Sequence, residues 1–385
     1  MHTSLFDLSP LLQIMLLGML LSLLPLLWVL VRTRGQTAAG RLQALTWITL
    51  FLTFDLVLFG AFTRLSDSGL GCPDWPGCYG SATPVGASMH IDVAQTEMPH
   101  GPVTHGKAWI EMLHRYLASA VGVLITILFV GAWYMRKSLE PTPKLSLWWP
   151  GAALAWVCVQ GAFGALTVVM KLFPAIVTLH LLGAYLLLAL LTVQVAGYHR
   201  QSNVQQTLGC SKSLRLALAA ALGLLLLQSA SGAWVSTQYA VLACNGFPQC
   251  QGSWWPPMDF AQAFDLWHPL GVDSQGEQMR FQALTAIHFT HRALAMFTLL
   301  VLGFLAWHLT KNVTSLRKPA SVLAALLVLQ GATGLSNVVL GWPMVAAILH
   351  TGGAGAMVVV LAWMLTLAAP LPLKKQINFG SMHES

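Results

Sequence analysis

The chain has 385 residues, 56% hydrophobic and only 9% charged, with a mean hydropathy of +0.66. Soluble domains carry about a quarter charged residues, so composition excludes a soluble globular protein and leaves a polytopic membrane protein. The net charge of +7 reads as an orientation signal and carries no nucleic-acid meaning.

Nine runs are long and apolar enough to cross a bilayer as helices: 11–32, 46–65, 107–135, 148–170, 174–198, 214–236, 281–310, 319–340 and 344–369. The first, "LLQIMLLGMLLSLLPLLWVLV", lacks a basic leader and a small-residue cleavage site, so it reads as a retained helix. Placing its C-terminal end inside gathers Arg32, Arg34, Arg41, Arg136, Lys137, Lys144, Arg200, Lys212, Arg215, Lys311, Arg317, Lys318, Lys374 and Lys375 on one side. By the positive-inside rule the N-terminus is then out and the C-terminus in. Two long polar loops, 66–106 and 237–280, lie outside, and the tail reads as cytoplasmic.

The chain is written twice. "GAFTRLSDSGLGCPDWPGCYG" (60–80) aligns without a gap on "GAWVSTQYAVLACNGFPQCQG" (232–252), and 159–184 aligns on 329–354. Gly60/Gly232, Cys72/Cys244, Cys78/Cys250, Gln160/Gln330, Gly164/Gly334 and His180/His350 coincide. The expected division is an extra N-terminal helix (1–40), a four-helix half (41–205), a second four-helix half (206–375) and a tail (376–385). Each copy holds an even number of spans, so the two keep one orientation and are related about an axis along the membrane normal. The matching glycines read as sites of close helix approach.

Cys72/Cys78 and Cys244/Cys250 form C-x5-C pairs in the outer loops. An oxidising compartment favours a disulfide in each. A metal site is the rival, although no histidine stands at zinc spacing, and a thiol-redox role stays open. Cys158 and Cys210 read as ordinary small residues.

Four of the thirteen histidines lie inside spans and recur in both copies: His114, His180, His291 and His350. Ionisable groups within a bilayer are costly and usually functional. Counting from the helix starts puts each on the order of 10 Å below the outer end. Two imidazoles on non-adjacent helices, without carboxylates or thiolates, suit haem iron better than zinc or a di-iron centre; hydrogen-bonded packing is the bland alternative. Arg115 and Arg292 follow directly, either as contacts to haem propionates or as interfacial anchors.

The copies differ at one conspicuous position. Glu111 stands one turn before His114, and its counterpart is His288. A carboxylate there can exchange protons beside a reacting group, which marks the N-terminal half as the reactive one. Alternatively, Glu111 pairs with Arg115 or orients His114. Asp55, whose counterpart is Leu227, belongs to a proton path or a polar helix contact.

Over roughly residues 45–370 the chain resembles the haem A synthase family, through "SGLGCPDWPGC", "EMLHR", "TLHLLGA", "HFTHR" and "ILHTGGA". The resemblance implies an all-α membrane protein of two pseudo-twofold-related four-helix bundles. It implies that His291 and His350 carry a haem b cofactor, while His114 and His180 face the substrate, haem O. The implied reaction is stepwise oxidation of a ring methyl to a formyl group, giving haem A for terminal oxidases. Glu111 matches a functionally important glutamate of that family, and both cysteine pairs match its outer-loop cysteines. The implied setting is a bacterial-type inner membrane, with the cysteine loops periplasmic and membrane lipid around it; an unidentified electron-transfer partner and haem O synthase are the expected protein contacts. The extra N-terminal span departs from the family's eight-helix pattern and is expected to leave the haem sites undisturbed. A quinol-linked, bis-His di-haem b-type electron-transfer cytochrome is the principal rival, and a transporter the third.

Overall fold

The computed structural model describes residues 9–137, 146–202 and 211–369. Lys144, Cys210, Lys374, Lys375 and the expected tail 376–385 lie outside the described residues. Eleven α-helices run in chain order: α1 (Ser9–Arg32), α2 (Ala38–Leu65), α3 (Ser88–Glu97), α4 (His105–Lys137), α5 (Trp148–Val169), α6 (Pro174–Ser202), α7 (Lys212–Thr237), α8 (Phe260–Ala263), α9 (Phe281–Asn312), α10 (Arg317–Val339) and α11 (Met344–Ala368). Nine of these described helices are long and apolar enough to cross a membrane, as the hydrophobic runs predict. The protein is an all-α, nine-span membrane protein. α2 starts earlier than its apolar run because Thr37 caps it, accepting from the Gly40 N–H at 3.2 Å. Ser211 does the same for α7 through Leu214.

Side chains follow the demands of an apolar solvent. Leu24, Leu216, Leu300 and Val328 are more than 70% exposed, where lipid rather than water surrounds a spanning helix. Polar residues within α2 are satisfied locally: Thr46, Thr49 and Thr53 each donate to the carbonyl one turn back at 2.7 Å.

Helix neighbours fall into two closed rings. α2 packs on α4, α4 on α5, α5 on α6 and α6 on α2; likewise α7 packs on α9, α9 on α10, α10 on α11 and α11 on α7. The rings meet where α11 touches α2 and α6, and where α6 touches α7. One hydrophobic core runs through both, including Leu124, Leu188, Leu191, Leu302, Val358 and Leu361. Polar ties stitch the seam. Tyr185 of α6 donates to the Thr351 carbonyl of α11 at 2.7 Å. Arg64, at the cysteine-loop end of α2, donates to Ser236 O at 2.6 Å. At the other end Arg200 donates to Thr366 O and Ala369 O, capping α11.

α1 lies outside both rings and packs chiefly on α4. The approach is close, since a Cβ on Gly18 would meet Ser119 Cβ at 2.6 Å. Its outer end reaches the first cysteine loop: Ile14 joins the buried cluster of Cys72, Cys78, Ile91, Met112 and Tyr116, and Pro10 abuts Gly77. The extra helix therefore braces the loop above the N-terminal histidines. Composition could not announce that contact.

Candidate functional site

Each of the four recurring histidines packs its ring against a glycine of a neighbouring helix. A Cβ added to Gly60 of α2 would lie 3.1 Å from His114 Cε1, and one on Gly164 of α5 would lie 3.6 Å from His180 Cε1. In the second ring the corresponding distances are 2.9 Å from Gly232 of α7 to His291 and 3.1 Å from Gly334 of α10 to His350. The matched glycines do more than let backbones approach; three of the four leave room that a methyl group would take from the imidazole. His114 and His180 sit across their ring, on α4 and α6, near enough to interact electrostatically, and so do His291 and His350 on α9 and α11. Gln160 donates to His180 O and Gln330 to His350 O, both at 2.9 Å, fixing the helix turn that carries each second histidine.

The rings differ in what lies behind the imidazoles. In the second ring Ser231 Oγ stands 2.9 Å from His291 Nδ1 and Thr333 Oγ1 stands 3.0 Å from His350 Nδ1. Gln228 also approaches His291 Nδ1, at 3.1 Å. In the first ring Nδ1 of His114 and Nδ1 of His180 are buried with no hydrogen-bond partner among the described residues. Phe59, the counterpart of Ser231, stacks on the His114 ring with centroids 6.1 Å apart. The counterpart of Thr333 is Phe163.

Above each ring sits a disulfide loop. Cys72–Cys78 and Cys244–Cys250 are both bonded, which removes the metal-thiolate alternative. Each second cysteine pairs its backbone with a serine further on, Cys78 with Ser81 and Cys250 with Ser253, and the turn between them uses Gly80 or Gly252 at φ +71° and +74°. Cys158, exposed on α5, is the free cysteine among the described residues.

The arginines hold these loops. Arg115 donates to the carbonyls of Asp74 and Pro76 at 3.1 Å and of Gly77 at 2.6 Å. Arg292 donates to Cys244 O at 2.6 Å, Gly246 O at 2.7 Å and Gln249 O at 3.4 Å. Glu111 Oε2 accepts from the Cys72 N–H at 2.8 Å, and Oε1 pairs with Arg115. His288 fills the same place, with the Cys244 N–H 3.3 Å from Nδ1 and Arg292 Nε 3.3 Å from Nε2. A carboxylate accepts both bonds at once, whereas a neutral imidazole has one lone pair to offer. Asp74, which sequence reasoning passed over, closes the first loop by accepting from the N–H groups of Tyr79 at 2.6 Å and Gly80 at 2.7 Å.

Asp55 has no hydrogen-bond or ion-pair partner among the described residues and is not joined to the histidines by any contact. No cluster of three or more His, Cys, Asp or Glu side chains is arranged to hold a bare metal ion among the described residues. What remains is two imidazoles per ring, the axial donor set of a haem iron.

Similarity to known proteins runs along nearly the whole chain. Proteins named "Heme A synthase" match it from Shewanella oneidensis (36% identity, covering 82% of this chain and 94% of that protein), Rhodospirillum centenum (28%, 89% and 92%) and Halalkalibacterium halodurans (25%, 77% and 86%). Residues 43–364, everything from early α2 into α11 but not α1, match the family described as COX15-CtaA, cytochrome oxidase assembly protein. The chain belongs to that family.

Proposed function

We propose that the protein is a haem A synthase, a membrane oxidoreductase that converts a methyl group of haem O stepwise to a formyl group and so supplies haem A to terminal oxidases. The observation that carries this reading is the recurrence of two glycine-flanked histidines on non-adjacent helices of each ring, in a chain whose relatives bear that name. The matching helix contacts and the backbone pairing at Cys78–Ser81 and Cys250–Ser253 support an internal duplication, with halves at 41–205 and 206–375 related by a pseudo-twofold axis. The Lys and Arg distribution supports the N-out, C-in orientation, with periplasmic disulfide loops on a bacterial-type inner membrane.

The residues fit a haem in each half. In the second ring, Nδ1 of both histidines is engaged by side chains, which leaves Nε2 of His291 and His350 to hold haem b, and Gly232 and Gly334 keep the rings in place. When bound, haem b supplies one-electron redox chemistry that no side chain offers. His114 and His180 face the substrate iron. Glu111 takes protons released as the methyl carbon is oxidised, and its bonds to Cys72 and Arg115 support a second part for it, holding the disulfide loop as a lid that keeps water out. Arg115 and Arg292 spend donors on loop carbonyls, so their part in anchoring propionates is to shape the loop that meets them. An unidentified electron partner and haem O synthase are the expected protein contacts.

The di-haem cytochrome reading requires equivalent halves, and the contrast of Glu111 with His288, and of Phe59 with Ser231, runs against it. The deciding experiment is to express the protein with a source of haem O, extract the pigment and weigh it. Haem A formed only with the intact protein supports the synthase; two unchanged b haems and no formylated product overturn it.

A further inference from the structure

We propose that Ser231 and Thr333 are positioning residues that make His291 and His350 a permanent grip on iron, and that Phe59 and Phe163, at the matching places in the other ring, make His114 and His180 a releasable one. The inference rests on the assignment of these histidines as iron ligands.

The hydroxyl protons point to one tautomer. Ser231 Oγ donates its hydrogen to Gln228 O at 2.8 Å, and Thr333 Oγ1 donates its own to Leu329 O at 2.7 Å. Each hydroxyl has a single proton, so toward Nδ1 it can only accept. Nδ1 of His350 therefore carries the hydrogen, and Nδ1 of His291 does so with the Gln228 amide turned to offer its otherwise unpartnered Oε1 in place of Nε2 at 3.1 Å, so the Nε2 lone pair of each ring is the one presented to metal. A ligand histidine held this way keeps its tautomer and ring angle, and it donates more strongly to the metal.

The first ring has no such acceptors. A phenyl group replaces each hydroxyl, and Nδ1 of His114 and of His180 is buried without a partner. Ligation through Nε2 places a hydrogen on that nitrogen, where it finds nothing to bond; the other tautomer puts the hydrogen on Nε2 and blocks the metal. A buried, unsatisfied N–H is costly, so each ligation there carries a penalty that the second ring avoids. A weak grip suits a porphyrin that must arrive as substrate and leave as product. A strong grip suits one that must stay.

The test uses full-length protein in detergent, loaded with haem b, with loss of haem followed into an excess of apo-globin and the reduction midpoint measured alongside. Ser231→Ala with Thr333→Val is expected to lose haem b about 10–100-fold faster and to shift the midpoint to more positive potential, because weaker donation favours ferrous iron. Ser231→Thr with Thr333→Ser, which keeps both hydroxyls, should restore both values. Phe59→Ser with Phe163→Thr should raise the haem-to-chain ratio of purified protein by retaining pigment in the first ring. Thr333→Val alone is isosteric and gives the same reading at half strength if the double variant misfolds. Unchanged dissociation and midpoint in these variants overturn the proposal. If His291→Ala and His350→Ala also keep their haem, the ligand assignment itself falls; if those two lose haem while the hydroxyl variants behave as wild type, ligation stands and only the hydroxyl role fails.

Discussion

The first ring, of α2, α4, α5 and α6, and the second, of α7, α9, α10 and α11, set glycine, histidine, arginine and cysteine at matching places and then satisfy them differently. Where the second ring sets Ser231 and Thr333 against its imidazoles, the first has Phe59, stacked on His114, and Phe163 at the matching sequence position. Beneath the disulfide loop the first ring puts a carboxylate that accepts two bonds together, and the second an imidazole that accepts one. On the proposed reading the first ring has a tight lid over loosely held ligands, and the second a looser lid over tightly held ones. In that reading a handful of polar-for-apolar exchanges between two like scaffolds separates the tasks.

The sharpest way to break this comparison is to remove ligands one ring at a time. His291→Ala or His350→Ala is expected to abolish the haem b absorption of purified protein, whereas His114→Ala or His180→Ala keeps that spectrum and abolishes formation of haem A. Equal loss of pigment in all four variants would erase the distinction between halves.

Exchanging Glu111 probes the next contrast. Glu111→Gln removes a proton acceptor while keeping shape, and haem A formation should fall by about 10²–10⁴-fold with haem b intact. Glu111→His, which copies the second ring, should fare no better. Turnover near wild type in either variant would reduce Glu111 to a support for the loop.

Arg115→Ala and Arg292→Ala compare the lids. Arg115 and Glu111 are both largely buried, at 11% and 5% side-chain exposure, and removing one partner of such a pair costs about 3–5 kcal/mol. Arg292 leaves no carboxylate stranded, so its loss amounts to hydrogen bonds, about 1–3 kcal/mol. Thermal midpoints in detergent should fall further for Arg115→Ala; the reverse order would refute the asymmetry.

The smallest effect concerns the outer part of the second loop. Gln262 donates to Asp273 at 2.9 Å, and the N–H groups of Gln275 and Glu277 donate to it at the same distance. With the Gln262 bond as the chief cause, the Asp273 carboxyl is held below the ordinary carboxylate range. A depressed value means that ordering is present above the unfolded value and is lost as pH falls through the folded one. Hydrogen exchange at Gln275 and Glu277, corrected for the intrinsic effect of pH, should accelerate only under acid conditions, while the Tyr79 and Gly80 amides report the first loop in the same experiment.

Much of this was legible beforehand. Hydrophobic run length located the nine spans, and ungapped self-alignment placed the cysteines, glycines and histidines in register. Phe163 and Thr333 even lay within the aligned text, but which neighbour stands behind a ring depends on side-chain direction across two helices, and helical spacing alone does not reveal it. Sequence alone does not choose between propionates and the interface for the arginines, because their partners, the carbonyls of Gly77 and Cys244, are supplied by a distant loop. The bracing of that loop by Pro10 and Ile14 was equally hidden, since α1 packs mainly on α4 rather than on its sequence neighbour.

α1 also constrains traffic within the bilayer. It contacts both α2 and α4, so the flank where those two helices meet is shuttered from the surrounding lipid. The α5 face of the first ring, where Cys158, Gly161, Ala162 and Leu166 are exposed, stays open to that lipid.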